Sequence, residues 1–352
     1  MATRLMIGDV REQLALLDAD SVDCVVTSPP YWGLRDYGVE GQIGLEPTLA
    51  EHLAVMVQVF SLIKRVLKPT GTLWVNYGDC YATTPNGRSA ADTKSAGGDD
   101  RTFRDKPFST IQGVLKPKDL CMVPNRFAIA LQEAGWWVRS EIIWAKPNPM
   151  PESIHDRPAT SHEKIFMLTK SSRYFYDKDS VRQNMQASSI ARLSQDVEKQ
   201  TGSTRANGGR KTNGNMKAVG KIRASDVASP RHAGGINHTG IEGTPRGEGR
   251  NLRNYEPAPL EVWPIATKPF SEAHFATFPP ELAERCILAG CPVGGTVLDP
   301  FGGAGTTALV AERKGRDAIL IEINPEYADI TRRRLVADAG LFASIAVKEA
   351  AA

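Results

Sequence analysis

Long apolar segments are missing from this sequence of 352 residues. No run approaches the roughly 18 apolar residues that a membrane-spanning helix requires. The N-terminal residues also lack the apolar stretch and the small-residue cleavage site of a signal peptide. We therefore expect a cytoplasmic protein with no membrane partner.

Cysteine is scarce as well. The 5 cysteines are scattered along the chain, and no two of them form a Cys-x-x-Cys pair. That spacing is not the pattern of a disulfide framework or of a structural zinc site. His155 and His162, with Glu163 beside them, lie seven residues apart around a proline and do not share a helix face. We expect reduced, mostly buried thiols and no bound metal.

A strong excess of charge is missing from the chain as a whole, since its net charge is only +3. The mean hides an asymmetry, because residues 182–253 contain 13 Lys and Arg against 5 Asp and Glu. This segment is also rich in glycine and poor in large apolar residues, so it cannot bury enough apolar surface to fold by itself. It is either a solvated linker or, in a protein that binds nucleic acid, a source of phosphate contacts.

An alternation of strand and helix patterns is present towards both ends of the chain. Short β-branched runs are separated by segments of helical periodicity, the longest of which covers about Thr48 to Leu67. We expect that helix to end at Lys68–Gly71, because proline cannot continue it. The alternation is typical of an α/β protein with a mostly parallel sheet, helices on both faces and, in this chain, basic loop-rich insertions.

A glycine-rich motif near the C-terminus, Asp299–Thr307, follows a strand pattern and opens a helix pattern. Such a turn lets a ligand approach backbone N–H groups, and Glu322 at the end of the next strand is suitably placed for ribose hydroxyls. Taken alone, the motif fits either a nicotinamide dinucleotide or S-adenosylmethionine. Only 47 residues follow Gly305, so most of the sheet must come from upstream. That order predicts a circularly permuted sheet.

A second motif, Val25–Trp32, lies at the end of a strand pattern near the N-terminus. The prolines Pro29 and Pro30 fix the backbone and remove two N–H donors, so neighbouring carbonyls are available as acceptors. Ser28 adds a side-chain acceptor, and Tyr31 offers a flat face for a base. These groups suit an exocyclic amine that donates hydrogen bonds, and none of them is an obvious covalent nucleophile.

The two motifs, SPPY followed by DPFGGAGTT, together resemble the permuted β-class amino-methyltransferases of DNA, the N4-cytosine and N6-adenine enzymes. The resemblance extends to GTLWVNYGD, WAKPNPMPES, HFATFPPEL and IEINPEY. It implies a circularly permuted S-adenosylmethionine-dependent methyltransferase fold. It also implies a bacterial or phage-encoded enzyme that flips a base out of double-stranded DNA.

The resemblance assigns roles to individual residues. Ser28 and the carbonyl of Pro29 would accept hydrogen bonds from the target amine, Pro30 would continue the rigid turn, and Tyr31 would stack on the flipped base. The residues implied to hold S-adenosylmethionine are Asp299, Phe301, Gly302, Gly303, Gly305 and Thr306 for its methionine part, Glu322 for its ribose, Asp9 for its adenine, and His274 and Phe275 in a segment that closes over it.

We divide the chain accordingly. The expected parts are 1–81 as the catalytic part of a methyltransferase domain, 82–119 as a mobile loop, 120–181 as the remainder of the catalytic part, 182–255 as a basic target-recognition segment, and 256–352 as the cofactor-binding part. Because donor and acceptor must meet, we expect the strand ending at Asp299 to lie beside the strand ending at Ser28. The termini should then lie close together.

The function expected is methyl transfer from S-adenosylmethionine to the exocyclic amine of a flipped base. Serine before the two prolines resembles the N4-cytosine enzymes, so the resemblance favours N4 of cytosine, with N6 of adenine as the alternative. No cysteine follows a proline, which disfavours methylation at carbon 5 of cytosine. A non-catalytic DNA-binding protein on the same scaffold and a dinucleotide-dependent oxidoreductase stay open as other classes. A cognate restriction endonuclease is a candidate partner, and both a monomer and a homodimer are open.

Overall fold

The protein is described from a computed structural model, which covers residues 1–34, 36–84, 108–181, 260–268, 278–339 and 345–348. Two compact units make up the chain. The first comprises Met1–Ser180 and Glu261–Ala352, and the second comprises Val181–Leu260. The expected target-recognition segment and the pair His274 and Phe275 lie outside the described residues.

Nine strands of the described residues form one sheet in the order β6-β4-β5-β3-β2-β7-β8-β1-β9. The strands are β1 (Thr3–Ile7), β2 (Val22–Thr27), β3 (Leu67–Tyr77), β4 (Trp137–Ala145), β5 (His162–Thr169), β6 (Val262–Pro264), β7 (Thr296–Asp299), β8 (Asp317–Glu322) and β9 (Ile345–Lys348). Only the pairs that β5 makes with β3 and β4 are antiparallel in this sheet. The predicted α/β class with a mostly parallel sheet is confirmed.

Six helices of the described residues flank the sheet. They are α1 (Val10–Ala15), α2 (Leu49–Val66), α3 (Val123–Glu133), α4 (Pro280–Gly290), α5 (Thr306–Arg313) and α6 (Pro325–Ala339). α2 begins with a capping box in which Thr48 and Glu51 satisfy each other's backbone N–H groups, a local reason for the helix to start there.

The end of α2 differs from the sequence prediction. The helix stops at Val66, and the segment Lys68–Gly71 already belongs to β3. Proline disfavours helical backbone in the residue that precedes it, so Pro69 holds Lys68 in extended conformation. The prediction placed the end of the helix a few residues too late because it counted proline only as a stop for its own residue.

Helices cover both faces of the sheet, as predicted. Leu73 and Val75 of β3 belong to the apolar cluster that includes α1, α2 and α3. Trp74, between them, faces Gly290 of α4, where an added Cβ would collide with the indole nitrogen. Successive side chains of a strand point to opposite faces, so α4 lies on the face opposite to α2. All 5 cysteines are free and buried, which confirms the prediction for them.

The permuted strand order is confirmed at two places. β7 pairs with β2 in parallel, with Val25 opposite Leu298. β1 pairs in parallel with β8 on one side and β9 on the other. The first and last described strands are therefore neighbours, as the prediction about the termini required.

The predicted loop 82–119 is described only at its two ends. The backbone of Ala82 bonds with Lys118 and Asp119, and Thr110 donates its N–H to the carbonyl of Thr83. These bonds close the loop where it leaves the sheet. Residues 173–177, after β5, have no regular secondary structure. Among the described residues, no helix is long and apolar enough to cross a bilayer.

Candidate active site at the carboxyl ends of the central strands

A cleft of about 330 Å³ opens at the carboxyl ends of β1, β2, β7 and β8. Ligands of open α/β sheets bind at this edge, because loops there diverge to opposite faces. The residues that line it include most of those named from the sequence: Asp9, Ser28, Pro29, Pro30, Tyr31, Asp299, Phe301, Gly302, Gly303, Thr306 and Glu322. Both sequence motifs therefore contribute to one cleft.

Asp299 joins the two motifs. Its Oδ1 accepts hydrogen bonds from the Thr27 hydroxyl at 2.8 Å and from the N–H of Phe301 at 3.1 Å, and its Oδ2 accepts from the Thr307 hydroxyl at 2.6 Å. Burial raises the pKa of this carboxyl to about 6, against the lowering effect of the two hydroxyl donors. Both oxygens are engaged within the protein, so Asp299 fixes the entry to the glycine-rich turn.

The glycine-rich turn has little room for a side chain at two positions. Gly305 caps α5 with a φ of +74°, and an added Cβ would lie 2.7 Å from Cγ2 of Thr331. At Gly302 an added Cβ would lie 3.1 Å from Cβ of Leu320. Gly302 also donates its N–H to the carbonyl of Ile321. The turn therefore packs directly on β8 and α6, and it leaves room above it for a ligand.

Glu322 ends β8 and faces the same cleft. Its carboxylate accepts hydrogen bonds from the backbone N–H groups of Gly303 at 2.7 Å and Asn324 at 2.9 Å. Burial, the largest cause, raises the pKa of Glu322 to about 7 despite these donors. A carboxylate has about four acceptor positions, so this one can still accept hydrogen bonds from the hydroxyls of a ligand.

Helix α6 supports the turn from behind, through residues that the sequence did not reveal. The hydroxyl of Thr331 donates to the carbonyl of Gly303 at 2.6 Å. The guanidinium of Arg334 donates to the carbonyl of Ala304 and to the hydroxyl of Thr306, both at 2.9 Å. Neither residue belongs to a motif.

Asp9 stands at the opposite wall of the cleft and caps α1. Its side chain accepts hydrogen bonds from the backbone N–H and the side chain of Arg11, which lower the pKa of Asp9 below its ordinary value. Tyr37 and Tyr327 meet edge to face near this wall, with their ring centroids 6.4 Å apart, and both line the cleft. Sequence reasoning missed these two aromatic residues.

Tyr31 is partly buried and lines the cleft. Its ring packs on Tyr77, with centroids 5.3 Å apart, and an added Cβ at Gly78 would lie 2.5 Å from the Tyr31 ring. Burial and the nearby charge of Glu163 raise its pKa well above the ordinary value. The phenol therefore stays protonated and keeps a hydrogen to donate.

The phenol oxygen of Tyr31 is the centre of a polar cluster at the floor of the cleft. It donates to Oε2 of Glu163 at 2.8 Å, and it accepts from the amide of Asn76 at 3.0 Å and from the hydroxyl of Ser28 at 3.3 Å. The amide of Asn76 also donates to Glu163 at 2.8 Å. Lys146 forms an ion pair with the other oxygen of Glu163. The sequence offered Glu163 only as a metal ligand beside His162.

A buried chain of polar groups lies behind the Tyr77 ring. His52, fully buried, contacts Glu46 through Nδ1 at 2.7 Å and the hydroxyl of Tyr77 through Nε2 at 2.5 Å. Since Tyr77 packs against Tyr31, this chain fixes the aromatic support of the cleft floor.

Two further sequence hypotheses concern the pair His274 and Phe275 and a bound metal. His274 and Phe275 lie outside the described residues, so their place relative to the cleft stays a prediction. No three His, Cys, Asp or Glu side chains in the described part of the chain converge as a metal site would require.

This chain is similar to known proteins in both sequence and fold. A family model described as DNA methylase, of the N6 and N4 type, matches residues 22–333. The type II methyltransferase M.Cfr9I of Citrobacter freundii is 42% identical over 331 residues, which is 94% of this chain and 87% of that protein. The type II methyltransferase M.SmaI of Serratia marcescens is 39% identical over 333 residues, 95% of this chain and 90% of that protein.

Solved structures resemble the fold at low sequence identity. PvuII DNA methyltransferase, described as cytosine-N4-specific, superposes with a TM-score of 0.58 at 19% identity, covering 95% of this chain and 86% of the other. A protein of Thermus thermophilus, described as a putative DNA modification methylase and complexed with S-adenosyl-L-methionine, gives a TM-score of 0.52 at 22% identity, covering 99% of this chain and 100% of the other.

Proposed function

The chain belongs to the DNA methylase family, and we propose that the base it methylates is cytosine, at the exocyclic N4 nitrogen. Its activity is the transfer of a methyl group to DNA, and its cofactor is S-adenosyl-L-methionine. The observation that carries the choice of base is the side chain that precedes the two prolines. It is a serine, Ser28, and it lines the cleft that also contains the glycine-rich turn.

The residues of the cleft fit the cofactor. Gly302 and Gly305 let the turn pack closely on β8 and α6, and Gly302 and Gly303 line the cleft. The buried carboxylate of Glu322 has acceptor capacity for ribose hydroxyls. We assign Phe301, Gly303 and Thr306 to the methionine part and Asp9 to the adenine. When bound, S-adenosylmethionine supplies a methyl group on a positively charged sulfur, which is an electrophile.

The acceptors beside the turn suit the amine. The lone pair of an aromatic amine is delocalised into its ring, so the nitrogen is a poor nucleophile. Hydrogen bonds from its two N–H groups to Ser28 and to the carbonyl of Pro29 favour a pyramidal nitrogen, and they stabilise the positive charge that develops on it as it gains the methyl group. The methylated nitrogen then loses its extra proton to water. A paired base cannot present its amine in this way, so the base is flipped out of the duplex.

Serine at this position favours cytosine over adenine by resemblance to the N4-cytosine enzymes, because the adenine enzymes more often carry Asp or Asn there. The test is the chemical identity of the product. Unmethylated bacterial DNA is incubated with the protein and the cofactor, digested to nucleosides and analysed by mass spectrometry. We expect N4-methylcytosine, and N6-methyladenine instead would overturn the choice of base. DNA treated with Ser28→Ala protein is the matched control.

We also propose a cognate restriction endonuclease as the functional partner of this protein in the cell. The support is that relatives at about 40% identity are named type II methyltransferases. DNA from cells that express the chain should resist a type II endonuclease that cuts DNA from cells without it, at the sequence that the chain methylates. Equal cleavage of both would contradict this partner.

A further inference from the structure

We propose that Glu163 is a positioning residue that sets the direction of the hydrogen bonds ending at Ser28. This inference rests on the proposed amine chemistry and deepens it, because Ser28 can accept from the amine only if its own hydrogen points elsewhere. Glu163 is on β5, 135 residues after Ser28, and it would act through Tyr31 without touching the base.

The direction of the hydrogen bonds follows from the inventory of donors. The Glu163 carboxylate can only accept, so the single hydrogen of the Tyr31 phenol is donated to it at 2.8 Å. The phenol oxygen is then free to accept, and it does so from Asn76 at 3.0 Å and from Ser28 at 3.3 Å. The Ser28 hydrogen is therefore directed to Tyr31. Both lone pairs of Ser28 are left for the incoming amine.

Lys146 determines how an amide at position 163 would be oriented. Its ammonium pairs with Oε1 of Glu163, while Oε2 faces Tyr31 and Asn76. An amide in place of the carboxylate would face a donor on each side, Lys146 and the amide of Asn76. Its oxygen would turn towards Lys146, because a charged ammonium makes a stronger hydrogen bond than a neutral amide. The amide nitrogen would then face Tyr31 and act as a donor. The phenol would turn its hydrogen to Ser28, and the hydroxyl of Ser28 would point its own hydrogen at the amine.

The inference predicts how Glu163→Gln behaves in single-turnover methylation of unmethylated bacterial DNA. The rate at saturating cofactor should fall roughly 10- to 100-fold, the loss expected when a reacting group is misoriented. The Kd for S-adenosylmethionine should not change, because the turn that holds it is built on β7 and β8. Urea unfolding of the variant checks that the fold is intact.

Two further variants separate orientation from general damage. Lys146→Met in the Glu163→Gln background frees the amide to turn its oxygen towards Tyr31, so the double variant should be faster than Glu163→Gln alone. In a Tyr31→Phe background there is no phenol to reverse, so Glu163→Gln should cost little further. Loss of rate that is the same with Tyr and Phe at position 31, or no gain from Lys146→Met, would overturn the positioning role.

The base assignment can fail without affecting this result. N6-methyladenine in the product would contradict the choice of cytosine, yet adenine also presents an exocyclic amine, so the effects of Glu163→Gln would stand. Conversely, a full rate for Glu163→Gln with N4-methylcytosine as product would remove the role of Glu163 and leave the proposed function intact.

Discussion

The hydroxyl of Thr27 donates to Oδ1 of Asp299 at 2.8 Å, although the two residues are 272 positions apart in the sequence. Thr27 is the last residue of β2 and Asp299 the last residue of β7, so this bond connects the turn that contains Ser28 with the glycine-rich turn. Through this contact, two motifs from opposite ends of the permuted chain form one site.

Thr27→Val should destabilise the protein by about 1–3 kcal/mol, because it leaves a buried carboxylate oxygen without its hydroxyl donor. The free energy of unfolding in urea measures the effect. Thr70→Val is the matched control, since Thr70 is exposed on β3 and should change stability by less than about 0.5 kcal/mol. Equal losses of unfolding free energy in the two variants would mean that the bond to Asp299 adds no more stability than an exposed threonine does.

Cofactor affinity should depend on the ionisation of Glu322, whose pKa burial raises to about 7. Ribose hydroxyls that donate to the carboxylate favour its charged form, so binding lowers this pKa and releases a proton. The Kd for S-adenosylmethionine should therefore rise as pH falls below about 7. Calorimetry in buffers with different ionisation enthalpies measures the released proton directly. Glu322→Gln should bind more weakly and lose the pH dependence.

Gly305→Ala should weaken cofactor binding at least about ten-fold, since a Cβ there would meet Cγ2 of Thr331 at 2.7 Å. Gly294→Ala is the control for backbone strain alone. Its φ of +76° matches the +74° of Gly305, but nothing lies within 4 Å of its Cβ position. Thr331→Ser removes the nearest methyl group and keeps the hydroxyl, so it should restore part of the affinity of Gly305→Ala. No restoration would show that the clash is not the cause.

Ser28→Ala should lower the rate of methyl transfer by roughly 100-fold, as the loss of a group that stabilises the transition state does elsewhere. Cofactor affinity should be unchanged, because Ser28 is not part of the glycine-rich turn. Single-turnover rates and calorimetry separate the two quantities. Ser61→Ala, an exposed serine on α2, is the control. A full rate for Ser28→Ala would contradict the mechanism.

The basic segment 182–253 should supply phosphate contacts. Replacing Arg210, Lys211, Lys217 and Lys221 by glutamine should weaken DNA binding and reduce its dependence on salt, because fewer counterions are released. Titration of labelled duplex DNA at several salt concentrations gives the slope. The same slope in both proteins would assign the segment a solvating role only.

Most of the fold could be predicted because the patterns that mark strands, helices and turns are local in the sequence. β7 and the turn after Asp299 have their own strand pattern and glycines, and the pairing of β7 with β2 followed from where the chemistry must meet. The end of α2 was predicted too late because the effect of Pro69 on Lys68 is a backbone restriction on the residue before it.

The candidate site was only partly predictable. The residues in motifs were found, and the structure brings most of them to one cleft. Glu163 and Lys146 were not, because their pairing depends on β4 and β5 lying beside β3, an arrangement that no spacing in the sequence reveals. The supports on α6, Thr331 and Arg334, were missed because their contacts to the glycine-rich turn, 28 to 30 residues away in the chain, depend on the packing of α6 and leave no local pattern.

The position of β1 in the sheet has a consequence for synthesis on the ribosome. β1 is translated first, yet its neighbours are β8 and β9, and the first residue of β8 is Asp317. At about 5–20 residues per second, β1 waits roughly 15–60 s for a partner. β2 waits almost as long for β7 on one of its edges. A nascent chain that stops before β7 would carry the complete turn around Ser28 and still expose both edges of β1 and one edge of β2, which makes truncated products targets for chaperones and proteases.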